Sequence, residues 1–433
     1  MHKRLNRREF LAAGAGVTAS ALFASPARAN AGDRIRCGIL GAGSRGTYLM
    51  QLAMNVKDAD FVAVCDIAKG RVRNAQAIVA KARGNTPDGY GEKGPQDYRR
   101  MLERKDLHAV LIATPIDLHA PMSIDALRAG KAVLSEVAAA TTMDDCHGLV
   151  RAVEETRGFY MMAENVCYSR DCMMILNMVQ QGVFGEGLTY AACGYVHDCR
   201  FLLFKPDGTL TWRGERMCRA VTGNRYPTHA IGPVAQWLGI NKTDRFVSLV
   251  SMSSRSFGAR EYATRKFGKD SPQAKIEFAG GDSNTTLIRT ARGVVIDLRY
   301  DIASPRPVRS TTYMSLQGEK ASYEGLTGEI WIDGRTGKDE WEPVAKYAKE
   351  YDHPYWQKWG REAEQTGHGG ADFFVIREFF DALRAGKPSP IDVYDAVAWS
   401  CIIPLSAESV RKGSAPVEIP DFRKGDRRDR ATS

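Results

Sequence analysis

Residues 35–46 read IRCGILGAGSRG. Six residues of strand type, Ile35 to Leu40, run straight into Gly41-Ala42-Gly43-Ser44-Arg45-Gly46, and helix-compatible sequence takes over from Thr47. A glycine-x-glycine-x-x-glycine turn alone says little, because glycine-rich turns are common. Between a strand and a helix, with an acidic residue about 20 positions on, it becomes a dinucleotide-binding fingerprint. The acid is Asp66, at the end of a second strand-like run, Phe61 to Cys65. Gly41, Gly43 and Gly46 let the backbone approach a pyrophosphate, the free N–H groups at the helix start face it, and Asp66 binds both ribose hydroxyls. The same carboxylate repels a 2′-phosphate, so the expected cofactor is NAD rather than NADP. Arg45 is expected on the pyrophosphate or the ribose.

Outward from this unit, strand and helix alternate. Strand-like runs recur at Ala109–Thr114, Ala132–Glu136 and Phe159–Ala163, with helical stretches at Arg71–Ala82, Pro121–Ala129 and Thr142–Glu155 between them. That alternation predicts an α/β fold, a Rossmann-type doubly wound parallel sheet over residues 33–165. Its ligand crevice lies beyond the carboxyl ends of the strands, where Thr114 to His119, Glu136-Val137 and Glu164-Asn165 fall. After Asn165 the pattern changes. Leu188–Tyr195, Phe246–Ser253, Thr285–Thr290 and Val294–Tyr300 read as antiparallel strands, and Asp372–Ala385 and Val393–Val410 as helices. Residues 166–422 are therefore expected to form an α+β domain with an open, mainly antiparallel sheet, followed by a disordered tail at 423–433, rich in Arg and Asp.

The first 29 residues have another character. Arg4, Arg7 and Arg8 precede Phe10-Leu11, an alanine-rich apolar stretch runs to Ala24, and Ala27-Arg28-Ala29 offers a small-x-small cleavage site. This reads as a twin-arginine signal peptide, recognised by that export machinery and placing the protein in the periplasm. Its apolar core is too short to span a bilayer, so no stable membrane insertion is expected. Folded export suits an enzyme that acquires its dinucleotide in the cytoplasm. Outside the inner membrane little free NAD is available for exchange, so a reaction that borrows a hydride and returns it is favoured over net oxidation. The net charge of +9 belongs mostly to the ends: the leader carries +4 and the segment from Asp421 carries +2, leaving +3 for the body. No basic stripe interleaved with aromatics points to nucleic acid. Nine cysteines include no C-x-x-C, so no metal site is expected; most read as buried thiols, with one pairing left open. The oligomeric state, homo-oligomer included, is also left open.

A second segment carries the chemistry. Residues 221–234 read VTGNRYPTHAIGPV. With Pro227 in the first turn of a helix, where its missing N–H costs nothing, Tyr226 and His229 point to the same side. A phenol and an imidazole side by side suit proton transfer near neutral pH; a packed Tyr and a capping His are the alternative.

The fingerprint, the strand ending in Glu136, the Ala-Glu-Asn at 163–165 and the later sheet resemble the glucose–fructose oxidoreductase and inositol dehydrogenase superfamily. YPTHAIGPV (226–234), YVHD (195–198), the Trp-Arg pair at 212–213, SPRP (304–307) and GHGGAD (367–372) resemble glycoside hydrolase family 109 more closely, over about Ile35 to Phe422. That family consists of NAD-dependent retaining glycosidases, typified by α-N-acetylgalactosaminidase activity. The resemblance implies that Ser44, Arg45, Asp66, Ile116, Asp117, Leu118, His119, Glu136, Val137 and Asn165 contact NAD. It also implies that Tyr195, Arg213, Tyr226 and His229 surround a glycoside, with Tyr226 near the nicotinamide as well. Tyr226 and His229 are then the catalytic pair, and His197 and Arg213 orient hydroxyls or polarise a ketone. Dehydrogenases of the superfamily carry Glu-Lys-Pro where this chain reads Glu136-Val137-Ala138, so their proton-transfer lysine is missing. Family 109 members commonly read Pro-Arg-Pro-Tyr where Val308 stands here, and tryptophan where Ile116 stands; Tyr300 or Tyr313 is a candidate to fill the substrate gap. Two other readings remain: a periplasmic sugar oxidoreductase with tightly held NAD, and a non-catalytic NAD-bound sugar-binding protein.

Overall fold

A computed structural model describes residues 34–57, 59–307 and 311–423. The expectations on the leader, on Val308 and on the tail beyond 423 lie outside the described residues.

The first sheet holds β1 (Arg36–Leu40), β2 (Asp60–Cys65), β3 (Asp88–Tyr90), β4 (Ala109–Ile112), β5 (Ala132–Ser135) and β6 (Tyr160–Met162), in the order β3-β2-β1-β4-β5-β6. All its pairs are parallel. Helices cover both faces of a parallel sheet, so its strands can be apolar along their whole length. Phe61 to Cys65 and Ala109 to Ile112 are accordingly buried at every position. The order reverses between β1 and β4, and their carboxyl ends open the crevice at that switch point. Strand β3, three residues beside Gly91 and Gly94, went unread in the sequence because so short an edge strand carries no periodicity.

The second sheet has nine strands: β7 (Leu188–Val196), β8 (Phe246–Ser253), β9 (Ser283–Thr290), β10 (Val295–Asp301), β11 (Thr311–Gly318), β12 (Ala321–Glu324), β13 (Glu329–Ile332), β14 (Glu342–Pro343) and β15 (Val417–Glu418). Their order is β14-β13-β12-β11-β7-β10-β9-β8-β15. The sheet is antiparallel except at its middle, where β10 runs parallel to β7 and aligns Tyr300 with Tyr195. The helix Thr228–Trp237 packs against β7, β10 and β11. It buries Ile231, Val234 and Trp237 there, and each such side chain contributes about 1.5–3 kcal/mol.

Two elements fasten the end of the chain to its beginning. The helix Ala371–Ala385 packs on the helix Ser44–Lys57 and buries Phe374, Phe379 and Phe380 completely. The stretch expected as one helix from Val393 to Val410 is two, Val393–Ser400 and Ile402–Arg411. Pro404 has no N–H to offer the Ser400 carbonyl one turn back, which accounts for the break at Cys401. All nine cysteines are free and buried. Among the described residues no helix is long and apolar enough to cross a membrane, and no cluster of His, Cys, Asp and Glu is placed to hold a metal ion.

Candidate active site

The glycine turn is built without room for side chains. Gly41 has φ +90°, and a Cβ there would lie 2.6 Å from the Ala113 carbonyl oxygen; one on Gly46 would lie 1.9 Å from the Gly41 oxygen. The turn is thereby pressed against the end of β4, and Gly43 faces the cleft, where a Cβ would meet only the Arg71 guanidinium, 3.8 Å away. Asp66 is fixed by two backbone donors, Ala42 N–H at 2.9 Å and Ala68 N–H at 2.8 Å, and still lines the cleft. The cleft has a volume of about 470 Å³ and runs from Asp66, Pro95 and Tyr98 past the glycine turn to Glu136, Arg213 and Tyr226. An extended dinucleotide fits this shape. Asp66 would hold its ribose, and the Gly41–Ser44 turn with the N-terminus of the helix Ser44–Lys57 would hold its pyrophosphate.

Several residues expected on the cofactor have other partners. Arg45, within the glycine turn, is held by two carboxylates: its Nε donates to Glu136 at 2.7 Å, and its two Nη atoms form a fork on Asp372 at 2.8 and 2.9 Å. Asp372 also accepts from Asn165 at 3.0 Å and bonds His368 at 2.6 Å. Burial alone would raise its pKa, but bonds from His368 and Arg45 hold the carboxyl well below its ordinary range. His119 lies buried with both ring nitrogens against carbonyls, Ala138 at 2.8 Å and Thr114 at 2.9 Å, and so ties the loop after β4 to the loop after β5. Ile116 is buried in an apolar cluster against which Tyr195 and Tyr226 pack. Asp117 pairs with Arg216 at 2.6 Å, across to the helical segment Arg213–Arg219. Arg45 and His119 line the cleft while making these bonds, as do Ser44, Leu118, Glu136 and Val137.

At the Glu136 end stands an aromatic cluster. Pro227 caps the helix Thr228–Trp237, one position earlier than expected, and His229 is its second residue. The Tyr226 and His229 rings meet edge to face with centroids 5.0 Å apart. Tyr195, from β7, lies 5.4 Å from each of them, and His197 lies 5.8 Å from Tyr195. Arg213 lines the same end of the cleft, its guanidinium 4.4 Å from the centroid of the Trp212 ring. Tyr300, beside Tyr195 in the sheet, does not line the cleft: it is wholly buried, with the Arg225 guanidinium 5.1 Å from its ring centroid. Tyr313 packs over Gly194, on the opposite face of the sheet from Tyr195. Neither is among the residues lining the cleft.

The electrostatics divide the cluster. Burial, with the nearby Glu136 charge, raises the Tyr226 phenol despite the opposing Arg213 cation, and burial raises Tyr195 as well. Both phenols keep their protons at neutral pH. For His229 burial works toward a lower pKa, but the charge and hydrogen bond of Glu164 outweigh it and the net shift is upward. Burial lowers His197. His229 is thus the member of the Tyr226–His229 pair suited to gain and lose a proton near neutrality. Glu164 was missed as a site residue, although it stands inside the Ala-Glu-Asn noted at the end of the fifth strand-like run; its Oε1 lies 2.7 Å from His229 Nδ1. Asp372 was missed likewise, inside GHGGAD.

Comparison with known proteins adds the family. Residues 35–164 match a model of the NAD-binding Rossmann fold of an oxidoreductase family, and residues 168–429 match the C-terminal domain of glycosyl hydrolase 109. A glycosyl hydrolase family 109 protein of Stenotrophomonas maltophilia is 38% identical over 97% of this chain and 96% of its own length. An α-N-acetylgalactosaminidase of Bacteroides fragilis is 39% identical over 90% and 92%. Among solved structures, a levoglucosan dehydrogenase complexed with NADH superposes with a TM-score of 0.69, covering 90% of this chain and 100% of that one at 19% identity, which is a likeness of fold.

Proposed function

The chain belongs to glycosyl hydrolase family 109 and is an NAD-dependent glycoside hydrolase, and from that premise we propose that it breaks the glycosidic bond by elimination from a transiently oxidised sugar. When bound in the cleft, NAD would supply reversible hydride transfer at C3 of the sugar, with no net redox change. With C3 at the ketone level, the proton on C2 is acidic, and the His229 imidazole removes it. The C1–O bond then breaks and the aglycone oxygen takes up a proton, the oxygen of a water adds to C1 of the enone, and a proton drawn from solvent replaces the one lost at C2. Tyr226, held protonated by burial, donates a hydrogen bond to the C3 oxygen, and Arg213 at the cleft wall stabilises negative charge that develops there. Tyr195 and His197 orient the sugar hydroxyls. The observation that carries this reading is the Tyr226–His229–Tyr195 cluster, whose Tyr226 lines the Glu136 end of the cleft, with no lysine among the described residues that line it. The pair of opposed carboxylates of an ordinary glycosidase is not required.

The substrate class is a hexoside with a free 3-hydroxyl. N-acetylgalactosaminides are the first to assay, given the name of the Bacteroides fragilis relative. The purified protein should release NAD on denaturation, and on a panel of aryl α- and β-glycosides it should liberate aglycone without accumulating NADH. Absence of nucleotide, presence of NADP in its place, or no turnover of any glycoside contradicts the proposal. Stoichiometric NADH with a keto-sugar product supports the oxidoreductase alternative instead.

We further propose that the leader delivers the folded, NAD-loaded protein to the periplasm through the twin-arginine pathway. Replacing Arg7 and Arg8 by lysine should hold the precursor in the cytoplasm, as fractionation would show. A variant that still reaches the periplasm contradicts the assignment.

A further inference from the structure

Glu164 closes the first domain's last strand and reaches into the second domain. It follows β6 and caps the short helical turn Asn165–Tyr168, its Oε1 accepting the Val166 N–H at 3.1 Å. The same oxygen lies 2.7 Å from His229 Nδ1, and the side chain has no exposed surface. Its other oxygen, Oε2, has no hydrogen-bond partner among the described residues. Gly232, three residues after His229 on the helix Thr228–Trp237, makes the approach possible: a Cβ there would stand 3.1 Å from the Glu164 Cγ and 3.0 Å from the Cys167 sulfur. A carboxylate buried with half its acceptors idle costs stability and packs no better than an apolar residue of its size, so this geometry calls for a use beyond packing.

We propose that Glu164 is the positioning residue of the reaction: it holds the neutral His229 ring as the Nδ1–H tautomer, so that Nε2 carries the lone pair that takes the C2 proton, and it stabilises the imidazolium that forms. The inference rests on His229 being the base, as proposed above. A carboxylate hydrogen-bonded to one imidazole nitrogen fixes the proton there and leaves the other as acceptor. Other groups also face the ring. Glu136, from the loop after β5, acts in the same direction as Glu164, and Arg45 opposes both. Tyr195 from β7 and Tyr226 beside the helix start are phenols held protonated. Glu164 is the group among them bonded to His229, so its charge dominates.

The test compares the full-length, NAD-loaded protein with Glu164→Gln, which keeps the shape and an acceptor for Val166 N–H but removes the charge. Nitrogen-15 NMR of His229, assigned by its loss in a His229 variant, reads the tautomer and the titration; pH profiles of kcat/KM on an aryl glycoside read the consequence. In the wild type the neutral ring carries its proton on Nδ1 and titrates above the ordinary histidine value. In Glu164→Gln the titration and the acid limb of the profile both move to lower pH. There kcat falls on the order of 10²-fold, the lower end of what a positioned base contributes, with KM little changed. Equal titrations in the two proteins overturn the proposal, as does a wild-type neutral ring protonated on Nε2, which can be read even if Glu164→Gln fails to fold. A displaced titration in a protein that cleaves no glycoside leaves the Glu164 assignment standing and removes the glycosidase mechanism.

Discussion

His229→Asn retains bound NAD and a near-normal melting temperature while losing about 10²–10⁴-fold in kcat, the usual contribution of a positioned base. Asparagine is the informative replacement. Its amide can donate to Glu164 from close to the position of Nδ1, so the buried carboxylate keeps a partner, but it offers no basic nitrogen at the position of Nε2. Alanine would leave Glu164 facing a void and mix a stability loss into the kinetic one. Tyr226→Phe removes one hydroxyl and should also lose a large part of kcat with the fold intact, because the ring still packs against Tyr195 and His229. NAD should stay, because the glycine turn and Asp66, both in the first domain and away from His229, are the groups placed to hold its pyrophosphate and ribose. Parallel loss of melting temperature, NAD and turnover would mean that His229 is a packing and capping residue. Near-normal kcat in His229→Asn would mean that it moves no proton.

Asp372→Ala should behave in the opposite way, losing stability and cofactor together. The carboxylate is fully buried and receives two bonds from Arg45 and one from Asn165, and it is bonded to His368. Removing it leaves the Asn165 amide without that partner and Arg45 with Glu136 alone, a change of the kind that costs about 3–5 kcal/mol. Because Arg45 lies within the glycine turn, the variant should also purify with less NAD than the wild type. The pH dependence has a definite sign. The folded-state pKa of Asp372 is lowered, so its contribution is fully present above the unfolded value of about 3.9 and is lost as pH falls through the lowered folded value. Denaturant titrations near neutrality should therefore separate the two proteins, and the gap should narrow in strong acid. A variant as stable as the wild type near neutrality, with its NAD retained, would show that Arg45 needs only Glu136.

These two sites also mark what sequence can and cannot carry. The glycine turn, Asp66 and the Tyr226–His229 pair were legible because each is local: a strand, a turn and a helix start written within a few residues. The parallel strands β1, β2, β4, β5 and β6 were legible as apolar runs because both of their faces are covered. The ion pair of Arg45 with Asp372 went unread because that partner stands 327 residues away, and a guanidinium beside a phosphate cradle gives no local sign that a carboxylate from the second domain will bind it. Glu164 was noted as part of a motif and left without a task because its partner is 65 residues on. Pairing order escaped for the same reason. The parallel alignment of β7 with β10 and the strands β11 to β14 depend on register between distant segments, and four-residue strands such as Ala321–Glu324 carry too few turns of the alternation to announce themselves. Tyr300 illustrates the limit on side chains. An aromatic in a strand next to the site is as compatible with packing as with contact, and here it is fully buried beside Arg225.

Turnover of an aryl glycoside in heavy water, with the released sugar analysed by proton NMR and mass spectrometry, distinguishes elimination from direct displacement at C1. If the C2 proton leaves to His229 and is replaced from solvent, the product carries deuterium at C2, one atom per sugar, and no NADH accumulates. A released sugar that keeps its original hydrogen at C2 contradicts the mechanism, whatever the rate of hydrolysis.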